Sequence, residues 1–129
     1  MASPFDISNA ELEVLKILWR NAPQHAVSIV TQLQEQHAWT NKTIKTMLNR
    51  LVGKGAVTFQ RDGRAYLYSP AIDEQEYQAQ VSSRMVKKVF SGSFSALVSG
   101  FAQKSELRAE DVSALKALIA EWEKENSND

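Results

Sequence analysis

Between Thr40 and Gly55 the chain reads Thr-Asn-Lys-Thr-Ile-Lys-Thr-Met-Leu-Asn-Arg-Leu-Val-Gly-Lys-Gly. Its polar members include Lys42, Thr43, Lys45, Thr46, Asn49 and Arg50. Lys and Arg meet phosphate oxygens or guanine edges, Asn meets adenine, and Thr serves either. From Gln36 to Arg61 there is no Asp or Glu, while Lys42, Lys45, Arg50, Lys54 and Arg61 all fall in that window. The chemistry on offer is non-covalent recognition of a polyanion. Arg61 and Arg64, on either side of Asp62-Gly63, extend it.

Bond-making chemistry finds no comparable constellation. The chain has no Cys, which excludes a disulfide scaffold, a thiolate metal site and a cysteine nucleophile. His25 and His37 stand without a ligand pattern around them. Neither a nucleophile elbow nor a phosphate-cradling glycine loop nor a metal-ligand spacing is present. Glu121, Glu123 and Glu125 read as a solvated helix surface. We expect no enzyme, no catalytic residue, no metal and no cofactor.

The recognition groups need a scaffold, and the spacing provides one. Ile44, Met47, Leu48 and Leu51 recur at i, i+3, i+4 and i+7, a single stripe on a helix. Thr40 is placed to cap its start, and Gly53 and Gly55 suit its C-terminal end. Upstream, Ser8-Asn-Ala-Glu11 is a capping box that opens a helix. In Leu12-Glu-Val-Leu-Lys-Ile-Leu-Trp19 six of eight residues are apolar, so more than one side must be covered. Asn21-Ala-Pro23 ends it. Ala26-Val27 is expected to be extended. Ser28 is expected to cap a second helix running to about His37, with Ile29, Val30 and Leu33 inward. Helix, short strand, helix, turn and helix is a helix-turn-helix layout.

After Gly55 the period changes to two. Val57–Arg61 and Arg64–Tyr68 flank Asp62-Gly63, a strong hairpin signal. A two-residue loop there pairs Phe59 with Tyr66 and Val57 with Tyr68, all on the face toward the helices, and leaves Arg61 and Arg64 at the tip. A hairpin directly after a recognition helix is a wing, placed to touch a phosphate backbone or a minor groove.

The remainder is helical. Asp73-Glu-Gln-Glu76 is a second capping box, and the helix it opens carries Tyr77, Val81, Met85 and Val89 along one side. After Ser91-Gly-Ser-Phe-Ser95, Phe94, Leu97, Val98 and Phe101 repeat the helical stripe. A last helix begins near Ala109, and Val112, Leu115, Ile119 and Trp122 form a short coiled-coil-like seam. These helices have too little chain to bury their stripes alone. A homodimer is expected, with these residues at its core, together with Tyr77 and Val81. The fold class is mainly α with a small antiparallel β wing. A winged helix-turn-helix domain at 1–70 is followed by a helical dimerisation domain at 71–129.

Charge supports that division. Residues 1–35 are net −2, 36–72 net +5 and 73–129 net −3, within a net charge of zero. The basic patch is local, as a nucleic-acid footprint should be. No apolar run approaches membrane-spanning length, so no membrane insertion is expected. The start Met1-Ala-Ser-Pro-Phe-Asp6 is not that of a signal peptide, and a cytoplasmic protein is expected.

Ile7-Ser-Asn-Ala-Glu-Leu-Glu-Val-Leu-Lys-Ile-Leu-Trp19, Trp39-Thr-Asn-Lys-Thr-Ile-Lys-Thr-Met-Leu-Asn-Arg-Leu51 and Lys54-Gly55 resemble the penicillinase-repressor family, the BlaI, MecI and CopY group. The resemblance runs on through the wing, Gly92-Ser-Phe94 and Leu97-Val98 to the final helix. It implies a homodimeric transcriptional repressor of antibiotic-resistance genes, seated on a palindromic double-stranded operator. It also implies a membrane sensor-protease system whose signal leads to cleavage at an Asn-Phe bond. The matching stretch here is Ser99-Gly100-Phe101, which keeps Phe and replaces Asn, so Gly100 and Phe101 mark the candidate cleavage position. The copper-responsive branch uses a Cys-rich motif that this chain lacks. The alternatives are a winged-helix protein-interaction module with an acidic partner and a regulator that binds a small effector directly.

Overall fold

The computed structural model describes residues 3–127. Met1, Ala2, Asn128 and Asp129, the ends of the two expected domains, lie outside the described residues. Ser8 starts α1 (Asn9–Arg20) with the expected capping box. Its hydroxyl accepts the Glu11 N–H at 3.1 Å, and a Glu11 carboxylate oxygen accepts the Ser8 N–H at 2.9 Å. Val14, Leu15, Ile17 and Leu18 are all buried, so α1 is covered on both flanks and forms the middle of the core.

The next two elements differ from expectation. The extended residues are β1 (Gln24–His25), and α2 (Ala26–Gln34) begins directly after them. Ser28 therefore lies inside α2, where its hydroxyl donates to the Gln24 side-chain carbonyl at 2.8 Å. The buried Gln24 amide donates to the carbonyls of Ile17 and Asn21, while its carbonyl also accepts from Gln32 at 2.7 Å. One side chain thus ties the end of α1 to the start of α2. At the other end α2 stops at Gln34 rather than near His37. The His37 ring stacks on Trp39 instead, with centroids 4.0 Å apart and planes 4° from parallel.

The recognition helix is α3 (Asn41–Lys54). Thr40 caps it through the Thr43 N–H at 3.1 Å, and Gly55 ends it at φ +80°, a left-handed position that suits glycine. Ile44, Met47, Leu48 and Leu51 are buried against α1 and α2 together with Ile29 and Leu33.

The wing is β2 (Val57–Asp62) and β3 (Ala65–Pro70), and the sheet order is β1-β3-β2, all antiparallel. Its register corrects the expected one. Phe59 pairs with Tyr68, Arg61 with Tyr66 and Asp62 with Ala65, so the turn residues are Gly63 and Arg64. The expected Asp62-Gly63 loop needs positive φ at both residues; only Gly63 has it, at +64°. Positive φ at the first central residue alone is the type II′ pattern, which also matches strand twist. The slip is two residues, so Val57, Phe59, Tyr66 and Tyr68 still share one face. Only Val57 and Tyr68 on that face are buried, whereas Phe59 and Tyr66 stay exposed further out along the hairpin.

Beyond the wing come α4 (Glu74–Val89), α5 (Phe94–Gln103) and α6 (Ala109–Asn126). Asp73 accepts the Glu76 N–H at the start of α4, and Ser93 accepts the Ala96 N–H at the start of α5. The chain divides into two units, Met1–Ser82 and Ser83–Asp129, with the division inside α4. Ile72 and Tyr77 belong to the core of the first unit. The Trp19 indole N–H donates to the Ile72 carbonyl at 3.0 Å, and the Trp19 and Tyr77 rings lie 5.7 Å apart. In the second unit neither α5 nor α6 has a buried residue.

Candidate nucleic-acid interface

Burial of the Ile44 stripe fixes the rotation of α3 and so decides what its other side presents. Lys42, Thr43, Lys45, Thr46, Asn49 and Arg50 are all exposed. Lys42, Thr43, Thr46 and Arg50 line a concavity of about 280 Å³ floored by Met47. The Thr46 hydroxyl donates to the Lys42 carbonyl at 2.9 Å, one turn back. Its proton is therefore committed, and outward it offers lone pairs. An acceptor at this position fits an exocyclic amino group of adenine or cytosine. Thr43 is the complement: its oxygen accepts from the Thr40 hydroxyl at 3.0 Å, which leaves its own proton to donate. Two neighbouring threonines of α3 thus present opposite hydrogen-bonding character.

The wing adds a second cationic surface. Arg64 occupies the turn itself. Arg61 stands one step down β2, its guanidinium 5.9 Å from the centre of the Tyr66 ring. It lies on the strand rather than at the tip because the turn is shifted. The wing's one acid, Asp62, sits 3.3 Å from the His25 Nε2, and the His25 Nδ1 lies 3.2 Å from the Tyr66 carbonyl oxygen. His25, at the start of α2, thereby touches both strands of the hairpin.

Lys54 belongs elsewhere, although it falls in the same acid-free window. Its ammonium donates to a Glu11 carboxylate oxygen at 2.7 Å and to the Asp6 carbonyl at 2.8 Å. Glu11 is 2% exposed. Burial pushes its carboxyl pKa up. The Lys54 hydrogen bond, the Ser8 N–H and hydroxyl, and the Lys54 charge together more than offset that and hold it below the usual value. Sequence reasoning treated Glu11 as a cap and Lys54 as part of the basic window. The signal that separates them is the period itself. Lys54 follows Ile44, Met47 and Leu51 at spacings of 3, 4 and 3, so it continues the buried stripe and not the basic face.

The residues expected at a dimer core divide in two. Tyr77 is 8% exposed and packs in the first unit, away from the exposed stripe expected for it. Val81, Met85 and Val89 on α4 are exposed, as are Phe94 and Phe101 on α5 and Val112, Ile119 and Trp122 on α6. Leu97, Val98 and Leu115 are half-buried. Gly100 lies in α5, and a side chain added there would meet nothing within 4 Å. Among the described residues, no helix is long and apolar enough to cross a membrane.

The chain is similar to known proteins in sequence and fold. The penicillinase repressor family model matches residues 7–121. The penicillinase repressor of Bacillus licheniformis is 33% identical over 115 residues, 89% of this chain and 90% of that one. The methicillin resistance regulatory protein MecI of Staphylococcus aureus is 30% identical, over 89% of this chain and 94% of that one. Among solved structures, the DNA-binding domain of the repressor BlaI is 40% identical. It aligns with 60% of this chain and 94% of its own, at a TM-score of 0.54. The Bacillus licheniformis BlaI monomer in complex with the blaP half-operator aligns over the same share at 0.52. Apo MarR from E. coli, at 21% identity and a TM-score of 0.51 over 92% of this chain, shares the fold. With a continuous match from the first capping box into the last helix, this chain belongs to the penicillinase repressor family.

Proposed function

We propose that the protein is a sequence-specific transcriptional repressor that binds a palindromic operator as a homodimer. The observation that carries this reading is the outward face of α3, polar, basic and free of acids, beside a wing with Arg64 in its turn. A relative of the same fold has been solved on a half-operator, which supports the same mode of docking here. α3 enters the major groove, with Lys42, Thr43, Lys45 and Thr46 at the end that reaches base edges and Asn49 further along. Arg50, Arg61 and Arg64 meet phosphates. The exposed apolar stripes of α5 and α6, with the outer half of α4, form the dimer core and set the spacing of two half-sites. The regulated genes are of the antibiotic-resistance class that the relatives' names describe. A sensor-protease system, acting near Gly100-Phe101, is the relief mechanism in keeping with the family, and the protein works in the cytoplasm, where the operator is.

The test is affinity for a selected operator duplex and for a random duplex at several salt concentrations. Thr46→Ala and Lys45→Ala should cost about 1–3 kcal/mol per half-site and relax specificity. Arg64→Ala should weaken both duplexes alike and lower the salt slope by about one per contact. If all three variants remain folded dimers with unchanged operator affinity, the interface is not on this face.

A further inference from the structure

Lys54 has two of its three donors committed, to the Glu11 carboxylate and the Asp6 carbonyl. Glu11 is held in turn by the Ser8 N–H, the group that opens α1. The last residue of α3 is therefore bonded to the first turn of α1 and to the segment before it. This joint lies at the opposite end of α3 from Thr40, where base reading is concentrated. An ion pair at such a place fixes the angle and axial position of the whole helix. The other Glu11 oxygen is buried and has no hydrogen-bond partner among the described residues. Among those residues the carboxylate is thus fixed through one oxygen, held by Lys54 and Ser8. Buried pairs of this kind contribute little net stability relative to an apolar replacement, and their best-attested use is to fix geometry.

We propose that Glu11 and Lys54 are a positioning pair that sets the pose of the recognition helix in the groove, and that Lys54 is not a phosphate contact. This rests on the DNA-binding reading above and adds to it a residue pair outside the binding face. Loss of the joint lets α3 shift against α1. Base contacts, which need close alignment, then weaken more than phosphate contacts, which tolerate displacement.

The experiment uses the full-length chain and two duplexes of equal length, one enriched from a randomised pool by the unmodified protein and one scrambled. Lys54→Met, Glu11→Gln and the double variant are compared with Lys54→Arg, after circular dichroism has shown each to be folded. The double variant removes both charges, so it keeps the test valid if a single change leaves an unpaired charge that unfolds the chain. We expect the enriched-to-scrambled affinity ratio to fall about tenfold in the first three and to survive in Lys54→Arg, the scale of one disturbed base contact. The salt slope should stay unchanged in all of them. A general loss of folded protein lowers both affinities equally and leaves the ratio alone, so the ratio reports pose. A slope reduced by about one in Lys54→Met, with an unchanged ratio in Glu11→Gln, makes Lys54 a phosphate contact and overturns the proposal. An unmodified protein that enriches no duplex overturns the DNA-binding reading itself, and with it this refinement. Normal discrimination by the unmodified protein and by the double variant overturns the refinement alone.

Discussion

The two units handle apolar residues in opposite ways. In the first, α1, α2 and α3 close around one another, and Leu15, Leu18, Ile29, Ile44, Leu48 and Leu51 are almost wholly removed from water. In the second, Phe94, Leu118, Ile119 and Trp122 remain more than half exposed. Large aromatic and aliphatic side chains at regular helical spacing are not left in water by a monomeric domain; they mark an association surface. One unit is thus a finished core that presents a polar face, and the other leaves its apolar stripes uncovered, as the proposed dimer requires. On the proposed reading, recognition belongs to the unit with the closed core and assembly to the unit with the open one.

Truncation probes that contrast most strongly. A chain ending at Ser82 keeps Ile72 and Tyr77 and should be a folded monomer by sedimentation. Its operator affinity should fall by about 100-fold or more, because the second half-site is no longer tethered to the first. A chain ending at Ser69 loses both residues from the core and should melt well below it. A dimeric Ser82 truncation would place the association surface in the first unit and break the contrast.

Single substitutions probe it at the next scale. Tyr77→Ala should destabilise the Ser82 truncation by about 3 kcal/mol, read as a lower urea midpoint, since it empties a packed aromatic site. Trp122→Ala should instead leave the full-length protein folded but move its monomer–dimer equilibrium to higher concentration. Equal effects of the two on the urea midpoint at every protein concentration would remove the distinction.

Much of this was legible in the sequence, because capping boxes and an i, i+3, i+4, i+7 stripe are local signals. α1, α3 and α6 begin at the residues their sequences indicate. What failed depended on distant partners. The strand falls at Gln24–His25 because these residues pair with Tyr68 and Leu67 of β3, and α2 begins directly after it. Tyr77 reads like the first residue of an α4 stripe, and nothing within its own helix shows that Trp19 captures it. The wing register turned on whether Asp62 accepts positive φ, a choice two adjacent turn types leave open. Lys54 was the opposite case, since its position in the buried stripe was readable and its chemistry suggested another place.

The smallest effect concerns protons. Glu11 has a folded-state pKa below its unfolded value of about 4.3. Its contribution to stability is therefore fully present above the unfolded pKa and is lost as pH falls through the folded one. The stability difference between the Ser82 truncation and its Glu11→Gln variant should be constant near neutrality and change only in the acid range, from about pH 5 downward. Urea midpoints for both at a series of pH values would show this, and a difference that varies between pH 6 and 8 would contradict it.

Gly100 has a kinetic consequence. It sits inside α5, a helix of 10 residues, and nothing around it excludes a side chain. Its place there costs about 1 kcal/mol of helix stability relative to alanine, in a helix short enough to be marginal by itself. A protease takes its substrate as an extended strand, so α5 must open before the bond to Phe101 can be cut. By lowering the cost of that opening relative to alanine, the glycine eases local unwinding of α5. Any protease acting on this bond would wait on how often one short helix comes undone.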